Sequence, residues 1–111
     1  MNFSSELVKG TLRTIILKML ADNGKMYGYE ITQRVKELSD NRIFLTEGAL
    51  YPTLHKLEGD GLLKTETVNI GRRVRKYYSL TASGKSLAKE RVNDFVDFIR
   101  TMTAVLQLRM A

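Results

Sequence analysis

Apolar side chains recur at three- and four-residue intervals from the start of the chain: Leu7, Val8, Leu12, Ile15, Ile16, Met19 and Leu20. That period predicts an amphipathic helix over residues 5–22. Ser4 or Ser5 is placed to cap it, and Asp22-Asn23-Gly24 to stop it, with Gly24 suited to a left-handed cap. Ile31, Val35 and Leu38 repeat the pattern over a second helix near 28–38, which Ser39, Asp40 and Asn41 break. The apolar run from Arg42 to Leu45 predicts a short strand. Leu50, Leu54 and Leu57 predict a third helix, capped by Thr46, with Glu47 at its positive end and a stop at Gly59-Asp60-Gly61.

The period then changes. Residues 62–68 and 74–80 are rich in Thr, Val, Tyr and Leu and read as two strands, joined by the turn residues 69–73. In the second strand Val74, Tyr78 and Leu80 point one way, and Arg73, Arg75, Tyr77 and Ser79 the other. Lys76 falls on the apolar side, so either the strand bulges there or Lys76 lies beyond the core, near the turn. Behind a Thr81 cap, Ala88, Val92, Phe95, Ile99, Met102 and Leu106 alternate steps of four and three. They predict a heptad seam on a helix over 82–108, widened on one side by Phe98 and Val105.

The order is helix, helix, short strand, helix, strand, strand, long helix. It predicts a mostly α fold with a small β-hairpin wing: a winged helix-turn-helix in residues 1–81. Residues 82–111 add a C-terminal dimerisation helix that forms one compact unit with the first helix. A chain of 111 residues buries a modest core, so a second copy would add to it. The expected dimer contacts are Leu12, Ile15, Ile16 and Met19 on the first helix, and Val92, Phe95, Phe98, Ile99, Met102 and Leu106 on the last.

The third helix contains the only proline of the chain. At about 100° per residue, Leu54 and Leu57 lie within about 40° of Leu50 and form its buried stripe. Gly48, Pro52, His55 and Gly59 then occupy the opposite face, flanked by Tyr51 and Lys56. The Pro52 ring would strike the carbonyl of Gly48, a residue in the first turn where the backbone can adjust. The outward face is therefore low in bulk, as suits a helix that brings its backbone close to a major groove. Thr46, Glu47, Gly48, Tyr51, Pro52, Thr53, His55 and Lys56 are the groove-facing candidates. Tyr51 has two readings, packing at the helix edge or contact with base or phosphate. His55 likewise is either an idle surface histidine or a DNA contact.

Charge locates the second half of that surface. The net charge is +6. Residues 1–69 carry nine basic and nine acidic side chains, and residues 70–111 nine and three, so the excess lies entirely in the latter part. Arg72, Arg73, Arg75 and Lys76 fall within five residues at the hairpin, where they suit phosphate anchoring or a narrow minor groove. The partner implied is double-stranded DNA; the alternative is a winged-helix protein-interaction module with a solvated wing.

Other classes find little support. There is no cysteine and one histidine, which leaves no disulfide framework and no multi-histidine metal site within a chain. No P-loop, nucleophile–base pair or carboxylate cluster points to an enzyme, and no cofactor is expected. No apolar run approaches the roughly 18 residues of a membrane span, and "MNFSSELVKG" lacks the pattern of a signal peptide. A cytoplasmic location is the expectation.

Four stretches, "YGYEI" (27–31), "GALYP" (48–52), "LEGDGL" (57–62) and "RRVRKYYSLTASG" (72–84), together resemble the PadR family of bacterial transcriptional regulators, in its smaller size class. The resemblance implies a dimeric winged-helix repressor with "GALYP" on the recognition helix and the Arg-rich hairpin as wing. It also implies an operator affinity that often responds to a small, frequently aromatic molecule. Phe95 and Phe98 are the residues to line such a cavity at the dimer interface, or else to fill the core. Gly59 stands where the family more often has a charged side chain, and the absence of tryptophan rules out a cavity of stacked indoles.

Overall fold

In the computed structural model, which describes residues 3–109, the chain runs α1 (Ser5–Asn23), β1 (Lys25–Tyr27), α2 (Gly28–Leu38), α3 (Glu47–Gly59), β2 (Leu63–Ile70), β3 (Arg73–Leu80) and α4 (Ala82–Val105). The predicted caps are in place. The hydroxyls of Ser4, Thr46 and Thr81 accept from the amides of Leu7, Ala49 and Gly84 at 3.4, 3.3 and 3.1 Å. Gly24 closes α1 with φ 82°, and Asp40 and Asn41 leave α2 with φ 53° and 61°.

The short strand is not where the apolar pattern put it. Residues 42–45 are irregular, and the strand is β1, which pairs antiparallel with β3 through Lys25–Ser79, Met26–Tyr78 and Tyr27–Tyr77. The sheet order β1-β3-β2 explains this: β2 covers one edge of β3, and the chain leaving α1 lies along the other. Leu45 is buried all the same, as a plug beneath the connector rather than as part of a ladder.

Tyr78 and Leu80 turn inward as predicted, but Val74 is 66 % exposed. The β2–β3 register runs unbroken from Leu63–Leu80 to Ile70–Arg73, so there is no bulge at Lys76. Core contact ends at Tyr78, and Val74 and Lys76 stand on the part of the hairpin that projects past it. The two-residue turn places Gly71, φ 62°, at its first central position, where a type II′ hairpin requires a positive φ.

The core gathers α1, α2, α3 and the sheet base. Leu50, Leu54 and Leu57 are each fully buried, and so are Ile16, Leu17 and Ile31. At about 1.5–3 kcal/mol for each buried leucine, that stripe holds α3 with its opposite face outward. Leu12, Ile16 and Met19, expected at a subunit interface, are buried within the chain itself and belong to this core. Of the four α1 residues expected at the interface, Ile15 alone keeps part of its surface.

Helix α4 packs along α1 through Ala88, which is buried, and through the half-buried Val92 and Phe95. It ends at Val105, short of the predicted 108, with Leu106 as its cap and Gln107 at φ 55°. Its junction with α3 is tight. The Thr81 hydroxyl donates to the Gly61 carbonyl at 2.7 Å, and the Thr81 amide to the Leu62 carbonyl at 3.0 Å. A Cβ on Gly84 would overlap that same Leu62 oxygen. The start of the long helix is thus seated directly on the elbow that ends α3.

Candidate nucleic-acid interface

The site is assembled from two projecting parts. The first is the outer face of α3, where Glu47, Gly48, Tyr51, Pro52, His55, Lys56 and Gly59 are exposed and Thr53 is half-buried. The helix continues through Pro52. Proline has no N–H, so the Gly48 carbonyl lacks its usual donor, and both residues face solvent that can supply one. The Thr53 hydroxyl donates to the Ala49 carbonyl at 2.9 Å, which turns it back along the helix.

Gly24, Gly61 and Gly71 hold a positive φ, and the remaining glycines differ in what surrounds them. A Cβ on Gly28 would stand 2.5 Å from the Tyr51 hydroxyl oxygen, so Gly28 is small because Tyr51 lies against it. Gly48 and Gly59 differ: a Cβ there meets nothing within 4 Å, and neither has a positive φ. The fold makes no demand for glycine at either position, although glycine is a poor helix former.

Tyr51 is therefore placed more specifically than either of its two readings. Its ring lies against the N-terminus of α2, joining the two helices of the helix-turn-helix, while about a third of its surface faces out: 36 %. His55 stands free on the outer face.

The second part is the wing. Arg72 is at the turn and Arg73 opens β3; both are exposed, and neither forms an ion pair among the described residues. Arg75 and Lys76 lie on opposite faces of the strand and are engaged within the chain. The Arg75 guanidinium stacks 4.0 Å from the Tyr27 ring centroid, and Tyr27 meets Tyr77 edge-on at 5.5 Å. The Tyr77 side chain is the largest cause pushing the Arg75 pKa up, so the charge is secure. Lys76 reaches Glu58 of α3 at 3.5 Å, and Glu58 also accepts from the Thr65 hydroxyl at 3.3 Å. Glu58 thereby clamps the wing base to the end of α3. The four basic residues are not one patch: two are free at the tip and two brace the hairpin.

Tyr27 and Tyr29 belong to this surface although neither is among the groove or wing candidates. Tyr27 supports the wing from β1, and its amide donates to Glu30 at 3.1 Å, which tethers the start of α2. Tyr29 is 62 % exposed at that same helix start. An aromatic in the first turn of α2, the helix that Tyr51 of α3 packs against, is the signal that could have found it. Among the described residues no group of His, Asp and Glu comes together to hold a metal, and no helix is long and apolar enough to cross a membrane.

A helix-turn-helix whose second helix shows a low-bulk outer face, beside a hairpin with two free arginines at its tip, defines a winged-helix protein of the DNA-binding type. Residues 16–90 match the transcriptional regulator PadR-like family, and the chain belongs to it. It is 39 % identical over 85 residues to the transcriptional regulator Rv3488 of Mycobacterium tuberculosis, covering 77 % of this chain and 76 % of that protein. A transcriptional regulator from Clostridium thermocellum has the same fold, with a TM-score of 0.82 at 26 % identity over 92 % of this chain and 96 % of that one. Bacillus subtilis PadR, solved in complex with operator DNA, matches with a TM-score of 0.66 at 32 % identity, over 73 % of this chain and 46 % of its own. DNA-binding transcription regulation is the activity of the family.

Proposed function

We propose that the protein is a cytoplasmic, homodimeric, sequence-specific repressor. Each α3 enters a major groove, and the two grooves lie about one helical turn, roughly 34 Å, apart. The observation that carries this is the outer face of α3, where Gly48 stands beside Pro52 and side-chain bulk is low although the chain itself has room for a side chain at Gly48. A cost in helix propensity with no return inside the molecule points to a surface outside it that needs the backbone close. Arg72 and Arg73 anchor phosphates beyond the groove; Thr46, Glu47, Thr53 and Lys56 flank the contact, with Arg75 and Lys76 holding the wing in register.

The dimer rests on α4. Phe98, Ile99, Val105 and Leu106 are 56, 46, 64 and 56 % exposed on one helix, beside the half-buried Phe95 and Met102. An apolar recess of about 380 Å³ lies next to them, with Ile15 and Val35 facing Phe95 and Val96. A second copy of α4 covers these residues. The Phe95 and Phe98 rings, 6.2 Å apart and tilted by 36°, are where a small aromatic effector would sit between the subunits and relieve repression.

Selection of bound fragments from random duplex DNA tests the reading. A two-fold symmetric sequence with half-sites about one turn apart is expected, and Gly48→Leu should abolish its selection while leaving stability unchanged or raised by up to about 1 kcal/mol. Recovery of no consensus, or of the same consensus by the variant, would refute it.

A further inference from the structure

At the base of the wing a cavity of about 770 Å³ opens between the end of α1, the base of the sheet and the first half of α4. Five lysines ring it, Lys18, Lys25, Lys64, Lys85 and Lys89, and no carboxylate lines it. The register brings them together. Lys25 of β1 and Lys64 of β2 both pair with Ser79 of β3, so the three stand in one row across the sheet. Lys85 and Lys89, four residues apart, share a face of α4.

The charges are only partly compensated. Lys18 pairs with Asp22 at 3.0 Å and Lys25 with Glu66 at 3.1 Å. Lys64, Lys85 and Lys89 form no ion pair among the described residues. Lys85 moreover sits in the first turn of α4, which has no acidic residue, although the helix dipole favours one there. Lys85 and Lys89 repel each other across one helical turn. Among the described residues no carboxylate pairs with Lys64, Lys85 or Lys89, so an anion from outside would relieve this crowding.

The shape and the lining narrow its chemistry. The floor is apolar, made of Leu20, Ala21, Leu80, Ala88 and Val92, and two neutral polar side chains, Ser79 and Asn93, stand on it. Cations at the rim, an apolar floor and one amide able both to donate and to accept suit phosphates joined to a heterocyclic base. Duplex DNA held by α3 and the wing tip does not explain the cluster: Lys64 is six strand residues from Ile70 at the turn, about 20 Å. We propose that this cavity binds a nucleotide, its phosphates on Lys64, Lys85 and Lys89 and its base on the floor against Asn93. Since α4 and the sheet base both line it, a bound nucleotide bridges the long helix and the DNA-binding domain.

Calorimetric titration of the full chain with ADP, pyrophosphate and adenosine tests this. Saturable binding of one ADP per chain is expected, tighter than that of either fragment. In Lys64→Gln/Lys85→Gln/Lys89→Gln, three exposed positions whose loss leaves the core intact, ADP binding should weaken by about tenfold or more with the melting temperature unchanged or raised. Asn93→Leu should weaken ADP but not pyrophosphate. No saturable ADP binding, equal affinity for ADP and pyrophosphate, or undiminished ADP binding by the triple variant would overturn the proposal. So would competition of ADP with duplex DNA together with a smaller salt slope for DNA in the triple variant, which would assign the lysines to phosphates of the duplex.

Discussion

Arg72→Ala with Arg73→Ala isolates the wing tip. Both side chains are exposed and neither holds an ion pair among the described residues, so their removal breaks no contact within the chain. Stability should stay within about 0.5 kcal/mol of the parent, as for ordinary surface substitutions. The effect on DNA binding is large by comparison. Each neutralised phosphate contributes about 0.9 to the slope of log affinity against log salt. Two arginines on each of two subunits make four contacts, so the slope should flatten by about 3.6. Between 50 and 200 mM salt, a fourfold change, the parent should then lose about 150-fold more affinity than the variant. Anisotropy titrations of one duplex at four or five salt concentrations measure this directly. The loss should be nearly uniform across sequences, because phosphates carry no base identity. A slope changed by less than about 1, in a variant of parental stability, would refute the wing assignment. Arg75 and Lys76 are unsuited to this test, since their removal also disturbs Tyr27 and Glu58.

Three further outcomes are expected. Gly84→Ala places a methyl group on the Leu62 carbonyl and must lift α4 from the elbow after α3, at a cost of about 1–3 kcal/mol; an unchanged urea midpoint would show that the approach is looser than described. Burial pushes the Tyr78 pKa up, so the neutral phenol is the folded form. Its contribution is complete below the unfolded value of about 10 and is lost as pH rises through the higher folded value. Stability from pH 8 to 11 should therefore fall more steeply in the parent than in Tyr78→Phe, and parallel curves would contradict that cause. Ile99→Asp puts a charge in the exposed apolar stripe of α4 and should yield monomer at micromolar concentration by sedimentation; a persistent dimer would place the interface elsewhere.

How much of this was legible in the residues depended on what each pattern reports. Periodicity tells which face of an element is covered, and it placed α1, α2, α3 and the stripe Leu50, Leu54, Leu57 correctly. It does not tell what does the covering. Leu12 and Ile16 carry the same apolar signature whether a second subunit or their own α2, α3 and sheet lie over them; a small domain needs that stripe for itself before it has any to share. Strand β1 was missed for a related reason. Three residues barely complete one alternation, and what makes them a strand is the vacant edge of β3, a fact about a partner 50 to 54 positions along the chain. Val74 shares the face of Tyr78 and Leu80 and is exposed all the same, because alternation continues past the point where the core stops: it says inward without saying into what. Glycine carries the same ambiguity and, once coordinates are added, resolves it best. Gly28, Gly48, Gly59 and Gly84 look alike as letters. Two are small because Tyr51 and the Leu62 carbonyl press on them, and two have no such neighbour. Gly10 on α1 has none either, so it is the setting of Gly48, beside Pro52 on the exposed face of α3, that directs the search for a partner surface.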